Sequence, residues 1–536
     1  MALKINFNAE ATVTHTALLQ NERAMNKSLL RISTGNRILS AADDAAGLFI
    51  ADQLSVVAAA LEQGNRNIQT GISALQIAET NVGQIFDKLK TIYTKAQSAA
   101  NDINDPNARS ALQRDIANLV DAIQKIGTDT EYNGIKLLDG NFSDKVIHYG
   151  ARADQTITVG INSVKADKLG AFMVTGSYST TQATASANAG STVNNGYTAS
   201  TGAVTSGGAF RWDSGDKAVV AGINVSVGSS GALSFAVDAK TIADNINSST
   251  NLQNAGISAR ASNTSKAAAG WTDIQVGTGQ SLTIKFFVGT GATPAISISV
   301  GAGQVLTLSD LVTQINSKAS SDNIKITAKA DNNRLVLTTQ GETIGLEVSA
   351  SAAVSAGSIS VNMAQFLGLS DTGPQNVSAT ATSTAAASAT GSAIQVGKLV
   401  IMGTDQYNYD FTGITSSGAG LGINSETGNA AFKHLYSLDV TNNENAEIAL
   451  DIVKTAIQRV DKIRTQIGSV INNLQAIWDG QKASYDNTKE AENVIRNTDF
   501  AAEMSTFITM QIRMQSGIAM LAQANALPQL VLQLLR

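Results

Sequence analysis

Both ends of the chain carry apolar residues at alternating spacings of three and four, the pattern that most limits its fold. Toward the C-terminus this stripe consists of Leu450, Val453, Ile457, Val460, Ile467, Ile471 and Leu474. A strict alternation of three and four places one narrow apolar seam along a helix, as in a coiled coil. A second stripe runs from residue 72 to residue 96. We therefore predict an intramolecular coiled-coil seam, in a rod with the two chain ends side by side.

The fold class follows from how this periodicity changes along the chain. The 536 residues are too many for one hydrophobic core, so several domains are expected. The turn signals Asn133-Gly134 and Asp139-Gly140 predict a small β-hairpin region beside the N-terminal helices. The sequence thus predicts a multidomain protein that is mainly α at both termini, as a long coiled-coil-like helical bundle. Its central insert is predicted to be α+β, mostly strands with short helices.

Five segments follow from these changes in pattern. Residues 1–42 and 497–536 are predicted to form one terminal helical domain, and residues 43–170 and 436–496 a rod domain. The remaining segment, 171–435, is predicted to be strand-rich and surface-exposed, with two subdomains. Within it, tracts of Ala, Ser, Thr and Gly near 177–208 and 375–393 predict loops or linkers.

Two short helical segments of the central region end in the same tripeptide. Ile-Asn-Ser occurs at residues 246–248 and again at 315–317. Each tripeptide lies between alternating apolar segments that predict strands. The sequence therefore predicts a repeated strand–helix–strand unit.

Several residues are typical of helix ends. Gly35 is predicted to end the first helix. Ser40 is predicted to begin the next one, of about 60 residues, with Asp43 in a capping-box-like position. Asp105, followed by Pro106, is predicted to cap a third helix.

The composition argues against several functional classes. The net charge is −5, and no run of Lys or Arg suggests nucleic acid binding. The chain has no cysteine, and its three histidines, His15, His148 and His434, lie far apart and outside any metal-ligand spacing. No nucleophile–base arrangement is recognisable. We therefore expect neither an enzyme nor a bound cofactor or metal.

A segment near the C-terminus has the length of a membrane span. Residues 514–535 contain no charged side chain, yet several Gln and Asn residues and Pro528 interrupt the segment. Burying unpaired amides in lipid is costly. We therefore predict packing against other protein helices rather than membrane insertion.

Motifs at both ends carry a family resemblance. Residues 31–38 read Arg-Ile-Ser-Thr-Gly-Asn-Arg-Ile, and residues 40–47 read Ser-Ala-Ala-Asp-Asp-Ala-Ala-Gly. Residues 491–503 read Ala-Glu-Asn-Val-Ile-Arg-Asn-Thr-Asp-Phe-Ala-Ala-Glu. These segments resemble the N- and C-terminal signatures of bacterial flagellins. The paired Ile-Asn units are also similar to a motif of flagellin variable regions.

The resemblance implies a structural subunit that self-assembles into the flagellar filament, a helical propeller outside the bacterial cell. The terminal helical domain would line an inner tube, and the rod domain would surround it. The implied partners are further copies of the chain, an export chaperone on the C-terminal helix, the flagellar export apparatus, the hook-associated junction protein and the filament cap. The hydroxyl-rich central region could in addition carry O-glycans.

Two alternative functions stay open from sequence. The hook–filament junction protein is similar at both ends, but does not polymerise into long filaments. A surface adhesin would instead bind a ligand through the central strands and use the helices as a stalk.

Within the filament interpretation, large apolar residues near the two termini are the candidates for subunit contacts. They are Ile5, Leu18, Met25, Leu29, Ile32, Phe507, Ile512, Ile518, Leu521, Leu527, Leu530 and Leu534. Ordering either terminus costs more backbone entropy than its own apolar side chains recover. Residues 1–40 and 500–536 are therefore predicted to be disordered in the monomer and helical in the polymer.

Overall fold

A computed structural model describes residues 8–101, 103–185, 211–212, 216–226, 235–290, 294–369, 376–383, 385–414 and 420–534. For residues 181–185, 211–212, 235–236 and 527–534 it describes the backbone alone. The chain divides into two compact units. Unit 1 comprises residues 1–81, 130–162 and 463–536, and unit 2 comprises residues 82–129 and 163–462.

The described helices are long at both ends of the chain and short in the centre. They are α1 (Ala9–Thr34), α2 (Ala45–Ala99), α3 (Pro106–Asp129), α4 (Ala239–Ser248), α5 (Thr250–Asn254), α6 (Leu308–Ser321), α7 (Asn443–Arg496) and α8 (Phe500–Leu534). Two 3-10 turns, Met363–Gln365 and Leu435–Ser437, accompany them.

The described strands lie between α3 and α7. The first ten are β1 (Glu131–Tyr132), β2 (Ile135–Lys136), β3 (Lys145–His148), β4 (Thr156–Val159), β5 (Gly170–Thr175), β6 (Ser179–Ala185), β7 (Arg211–Trp212), β8 (Val219–Val220), β9 (Ile223–Asn224) and β10 (Phe235–Ala236). The next eight are β11 (Ile257–Lys266), β12 (Ile274–Gln275), β13 (Gln280–Val288), β14 (Ile296–Val300), β15 (Val305–Leu306), β16 (Ile326–Asp331), β17 (Arg334–Thr339) and β18 (Ile344–Ala352). The last seven are β19 (Ser358–Asn362), β20 (Asn376–Thr380), β21 (Ala387–Val396), β22 (Lys398–Gly403), β23 (Asn408–Asp410), β24 (Thr427–Asn429) and β25 (Ala431–His434). Long terminal helices around a strand-rich centre confirm the predicted fold class.

In unit 1 the β3–β4 hairpin packs tightly against the first half of α2. A Cβ atom on Gly64 would lie 2.1 Å from the carbonyl oxygen of Tyr149, and one on Gly71 would lie 2.5 Å from Ile147 Cδ1. Between these glycines, Asn67 Nδ2 donates to the carbonyl of His148 at 3.0 Å. The missing side chains therefore allow the close approach, and the amide fixes its register.

Local turn chemistry confirms the predicted hairpin region. Strands β1 and β2 pair across the two-residue turn Asn133-Gly134, whose φ angles are 49° and 76°. Two consecutive positive φ angles are typical of the type I′ turn, which matches the twist of a hairpin.

One predicted helix end agrees with the structure and another is wrong. Asp105 Oδ1 accepts from Ala108 N at 2.6 Å, so it caps α3 as expected. The long helix α2 begins at Ala45 rather than at Ser40, because Asp44 is its cap: Asp44 Oδ1 accepts from Gly47 N at 2.8 Å. Asp43 instead accepts from Ser40 N at 3.2 Å and closes a turn before the helix.

Two large antiparallel sheets organise unit 2. The six-stranded sheet has the order β16-β17-β11-β22-β5-β25, and the five-stranded sheet has the order β14-β13-β18-β21-β6. A four-stranded sheet, β24-β23-β8-β9, adds to them. One face of the five-stranded sheet packs against α6 and the β19–β20 hairpin, with Phe286 and Phe366 fully buried in that core.

The predicted linker near 375–393 is wrong, because much of it is strand. Strand β21 pairs with β18 from Ala387 to Gln395 and with β6 from Thr390 to Val396. Ala389 and Ala393 are buried in the core, where small side chains leave room for the β19–β20 hairpin. The other predicted linker is wrong at 179–185, which form β6, and its residues 186–208 lie outside the described residues.

The predicted repeat is present, and one asparagine fixes each copy. Asn247 Nδ2 donates to Ala259 O at 2.7 Å, while its Oδ1 accepts from Ala259 N at 2.9 Å. Asn316 makes the same two bonds with the backbone of Ala328, both at 2.8 Å. In both copies the amide reaches the strand residue twelve positions later, and the preceding isoleucine is fully buried. The Ile-Asn pair therefore docks a helix onto its following strand.

We predict that Asn316→Ala destabilises the central region by about 2–4 kcal/mol, because Ala328 would lose both backbone hydrogen bonds in a partly buried place. Calorimetry of the thermal transition of the full chain would measure this loss. Gln314→Ala, at an exposed position of the same helix, is the matched control. An Asn316→Ala protein as stable as this control would contradict the role of the amide.

Candidate assembly surface

The two terminal helices form an antiparallel pair held by side chains that reach main-chain carbonyls. Asn8 Nδ2 donates to Ala524 O at 2.9 Å, and Asn21 Nδ2 donates to Met510 O at 2.9 Å. As residue numbers rise along α1 they fall along α8, which defines an antiparallel arrangement. Such contacts bring the two backbones close and fix the register of the pair.

The pair buries few of its own side chains. In α1 only Ser28 is buried, and among the described side chains of α8 only Ala524 is buried. Neither is a large apolar residue, so the described side chains of the pair enclose no core of their own. Most of the stability of a helix comes from packing of its apolar face, and that packing is thin here.

The structure divides the predicted contact residues between two faces of this pair. Those that are half-buried between the helices are Leu18, Met25, Ile32, Phe507 and Leu521. Those that face outward are Leu29, Ile512 and Ile518, with exposed fractions of 50%, 57% and 55%. Ile5 lies outside the described residues, and the side chains of Leu527, Leu530 and Leu534 lie outside the described part of α8.

Further outward-facing apolar residues of unit 1 were not predicted. They are Val13, Leu19, Leu30, Phe500, Ile508 and Met520 on the terminal pair, Phe49, Ile50, Val56, Val57 and Ile77 on α2, Ile135 and Val146 in the hairpin region, and Val494 near the end of α7. Most of the exposed large apolar side chains of the described residues belong to unit 1, and few belong to unit 2. The periodicity of apolar residues identifies the helix face that packs against one partner. The residues named here lie on other faces, so periodicity did not predict them. Large exposed apolar patches mark interaction sites.

A shallow apolar groove of about 400 Å³ lies on the terminal pair. It is lined by Ala9, Glu10, Val13, Thr14, Met520, Gln523 and Ala524. A groove of this kind can receive an apolar side chain from another protein surface.

The connectors beside the terminal pair are joined by a short backbone bridge. Arg37 N donates to Arg496 O at 2.7 Å, and Thr498 N donates to Gly35 O at 2.9 Å. Gly35 has a φ of 74°, so it ends α1 in the left-handed region as predicted. The connector that follows α1 and the connector that precedes α8 therefore lie side by side at one end of the terminal pair.

An ion pair between Lys27 and Asp43 ties α1 to its connector. Asp43 also accepts from the backbone N–H groups of Leu39 and Ser40, at 3.1 and 3.2 Å. The hydrogen bond from Lys27 is the largest cause that lowers the pKa of Asp43 to about 2, and the Leu39 N–H follows. The charged carboxylate is thus the form that this junction stabilises.

The residues of the predicted seam on α7 differ in burial. Within unit 2, Val453 and Val460 are fully buried, while Leu450 and Ile457 are half-buried. Within unit 1, Ile467, Ile471 and Leu474 are buried, and Leu474 lies near Gly71 of α2. Other fully or nearly fully buried positions between residues 446 and 456 are Ala446, Ala449, Ile452 and Ala456. The apolar face of this part of α7 is therefore wider than one seam.

Within the described ranges, no group of three His, Asp or Glu side chains is placed to hold a metal ion. Helix α2 is long and apolar enough to cross a membrane by length and composition alone. The first half of this helix packs tightly against the β3–β4 hairpin through two glycines.

Comparison with known families gives three matches. Residues 5–143 match the bacterial flagellin N-terminal helical region, residues 450–535 match the bacterial flagellin C-terminal helical region, and residues 282–341 match the flagellin hook IN motif. The second of the two Asn-fixed units lies within this last range.

Curated relatives match over the whole chain. A flagellin of Aquifex pyrophilus is 52% identical over 548 residues, and a flagellin of Aquifex aeolicus is 48% identical over 543 residues. The B-type flagellin of Pseudomonas aeruginosa is 34% identical over 541 residues. In each case the match covers 100% of this chain and 100% of the relative.

Solved structures show weaker similarity. FliC from Burkholderia pseudomallei is 16% identical with a TM-score of 0.28, covering 75% of this chain and 99% of that chain. The flagellar junction protein FlgL from Legionella pneumophila is 9% identical with a TM-score of 0.32, covering 83% of this chain and 99% of that chain. Neither likeness is strong enough to support an argument about function.

The lowered pKa of Asp43 predicts an acid-sensitive contact. Its carboxyl has an ordinary pKa of 3.8, lowered to about 2 in the folded junction, so its contribution to stability is present above 3.8 and is lost as the pH falls through about 2. Lys27→Gln removes the main cause, and the pH midpoint at which α1 loses its helicity should move upward, toward 3.8. Circular dichroism during acid titration, under conditions where α1 is helical, measures this shift. Lys90→Gln, at an exposed position of α2, should leave the midpoint unchanged.

Proposed function

This chain belongs to the bacterial flagellin family and is a structural subunit of the bacterial flagellar filament, and we propose that its copies assemble through α1 and α8. The observation that carries this proposal is the concentration of exposed large apolar side chains in unit 1. Within the pair, Leu18, Met25, Ile32, Phe507 and Leu521 pack between the two helices of one copy. The outward residues Leu29, Ile512 and Ile518 are left for neighbouring copies to cover.

Folding of the terminal helices is coupled to this assembly. Among the described side chains of the pair only Ser28 and Ala524 are buried, so this packing offsets little of the backbone entropy that ordering the pair costs. Neighbouring copies supply the missing burial, and binding of the folded state shifts the equilibrium by mass action. Residues 1–40 and 500–536 are accordingly disordered in the dilute monomer and helical in the polymer.

Hydrogen exchange tests this coupling directly. Amides of α1 and α8 should exchange rapidly in dilute monomer and slowly in filaments, while amides of β13 and β18 in the central core should be protected in both states. The central strands are thus an internal control. Strong protection of both terminal helices in dilute monomer would contradict the proposal.

Charged substitutions on the outward face should block assembly. Ile512→Asp and Ile518→Asp each remove an apolar contact that we expect to be worth about 1.5–3 kcal/mol, which corresponds to about a 10- to 150-fold rise in the concentration needed for polymerisation. Seeded polymerisation followed by sedimentation measures this concentration.

The matched control lies in unit 2, where Val354 is 51% exposed. Val354→Asp adds the same charge at an equally exposed apolar position and should polymerise like the unmodified chain. If the Ile512 and Val354 variants assemble equally well, the outward face of α8 is not a subunit interface.

The domain assignments extend this proposal to the rest of the chain. Residues 1–42 and 497–536 form the inner tube, and residues 43–170 and 436–496 form the rod domain around it. Residues 171–435 form the variable region on the filament surface. Support comes from the positions of the family matches, which cover both ends and leave most of the centre unmatched.

We also propose several partners for this function. An export chaperone would cover the outward apolar residues of α8 until the chain passes the export apparatus to the extracellular filament. The junction protein and the filament cap would contact the two ends of the polymer. Exposed hydroxyls of unit 2, such as Ser281 and Ser388, could accept O-glycans. An intact mass equal to the 55.5 kDa of the sequence would exclude them.

A further inference from the structure

Strand β14 is an edge strand whose outer side lacks the usual protection. In the described part of unit 2 it pairs with β13 on one side only, in continuous register from Ile296 to Val300. Its sequence, Ile-Ser-Ile-Ser-Val, contains no charge, proline or glycine. Natural edge strands are usually short, bulged or charged, because unpaired backbone groups invite another strand.

Most other edges of the large sheets have that protection. The six-stranded sheet ends in β16, which contains Lys329 and Asp331, and in β25, which contains Lys433. The four-stranded sheet ends in β24 and β9, which have three and two residues. The far edge of the five-stranded sheet, β6, is also uncharged, but most of its side chains lie outside the described part. Among the edges of these sheets whose side chains are all described, β14 is therefore the one without such protection.

The sequence of β14 is suited to pairing with a copy of itself. Its apolar residues alternate with serines symmetrically about Ile298, and the structure places Ile296, Ile298 and Val300 in the core and Ser297 and Ser299 on the exposed face. In an antiparallel pair centred on Ile298, Ile296 lies opposite Val300 and Ser297 lies opposite Ser299. Every side chain would then meet one of its own kind on its own face.

Serine pairs of this kind already occur between strands of unit 2. Ser281 and Ser351, on β13 and β18, join their hydroxyls at 2.7 Å, and Ser360 and Ser378 do the same in the β19–β20 hairpin. The nearest charge on this face of β13, Lys285, is paired with Glu347 at 2.8 Å. An approaching copy would therefore meet no unpaired lysine beside Ser297.

We propose that β14 is an interaction surface for a second copy of this chain, and that two copies join their five-stranded sheets by antiparallel pairing of β14 about Ile298. A twofold pairing of this kind closes on itself and cannot propagate, unlike the head-to-tail contact that builds a helical polymer. The contact is therefore additional to filament assembly. It joins the surface regions of copies that the filament or its neighbours bring together.

Cysteine cross-linking tests the register, because the chain has no cysteine of its own. Copies with Ser297→Cys are mixed with copies with Ser299→Cys and oxidised mildly, both before and after assembly into filaments. Directly opposite residues of an antiparallel pair have Cα atoms about 4.5–5.5 Å apart, within the range of a disulfide. The mixture should give a disulfide-linked dimer on a non-reducing gel. Either variant alone should give much less, since its cysteines would lie about 7–8 Å apart along the diagonal.

The matched control mixes Ser281→Cys with Ser388→Cys. Both serines are exposed on the same face of the same sheet, but on strands that have neighbours on both sides. A dimer yield at the control level, before and after assembly, would overturn the proposal. Electron microscopy of each variant separates this result from a failure of the filament function, because normal filaments without the cross-link reject the β14 contact alone.

Discussion

The proposed assembly of this chain depends on the thin packing between α1 and α8. The two helices are held in register by Asn8, Asn21 and Ser28, which reach carbonyl oxygens of the opposite helix. These hydrogen bonds specify which residues meet, yet each contributes only about 0.5–1.5 kcal/mol net. The larger apolar side chains are half-buried or turned outward. Register is therefore fixed within one copy, whereas, in the proposed assembly, much of the burial that would stabilise the pair comes from other copies.

Unit 2 represents the opposite case. Its two clusters of buried residues include Phe286 and Phe411, both fully buried, and its exposed large apolar residues are few. A sheet-based core of this size is stabilised by its own apolar burial. The central region therefore needs no neighbour in order to fold. Under the proposed coupling, one chain thus combines a region that folds alone with a region that folds in the polymer.

Local rules explain what could be predicted from sequence. The helix end at Gly35, the cap at Asp105 and the turn at Asn133-Gly134 each depend on one or two residues, and all three agree with the structure. The repeated Ile-Asn unit was also visible. The two hydrogen bonds that explain it were not, because they join residues twelve positions apart.

Competing signals explain what was missed. Ser40 and Asp43 stand at the spacing of a capping box, so the sequence predicts a helix start at Ser40. In the structure Asp44 is the cap, because its side chain accepts a hydrogen bond from the first turn of α2. Strand β21 consists largely of Ala, Ser, Thr and Gly, which is also the composition of linkers. Its strand character comes from pairing with β18 and β6, which composition does not record. The division of apolar terminal residues into inward and outward faces likewise needed the relative rotation of α1 and α8.

The outward apolar faces of α1 and α8 and the outer edge of β14 differ in the free energy that a contact through them can supply. This difference sets the order in which the two proposed contacts form. Apolar helix faces contribute about 25 cal/mol for each Å² removed from water, so long helices gain many kcal/mol when several copies cover them. A five-residue strand edge offers only a few backbone hydrogen bonds, each worth about 0.5–1.5 kcal/mol net, against the cost of association. Such an edge contact requires a high effective concentration, which a polymer of the same chain supplies. On these proposals, helix assembly comes first, and contacts between central regions form most readily on copies that are already held together.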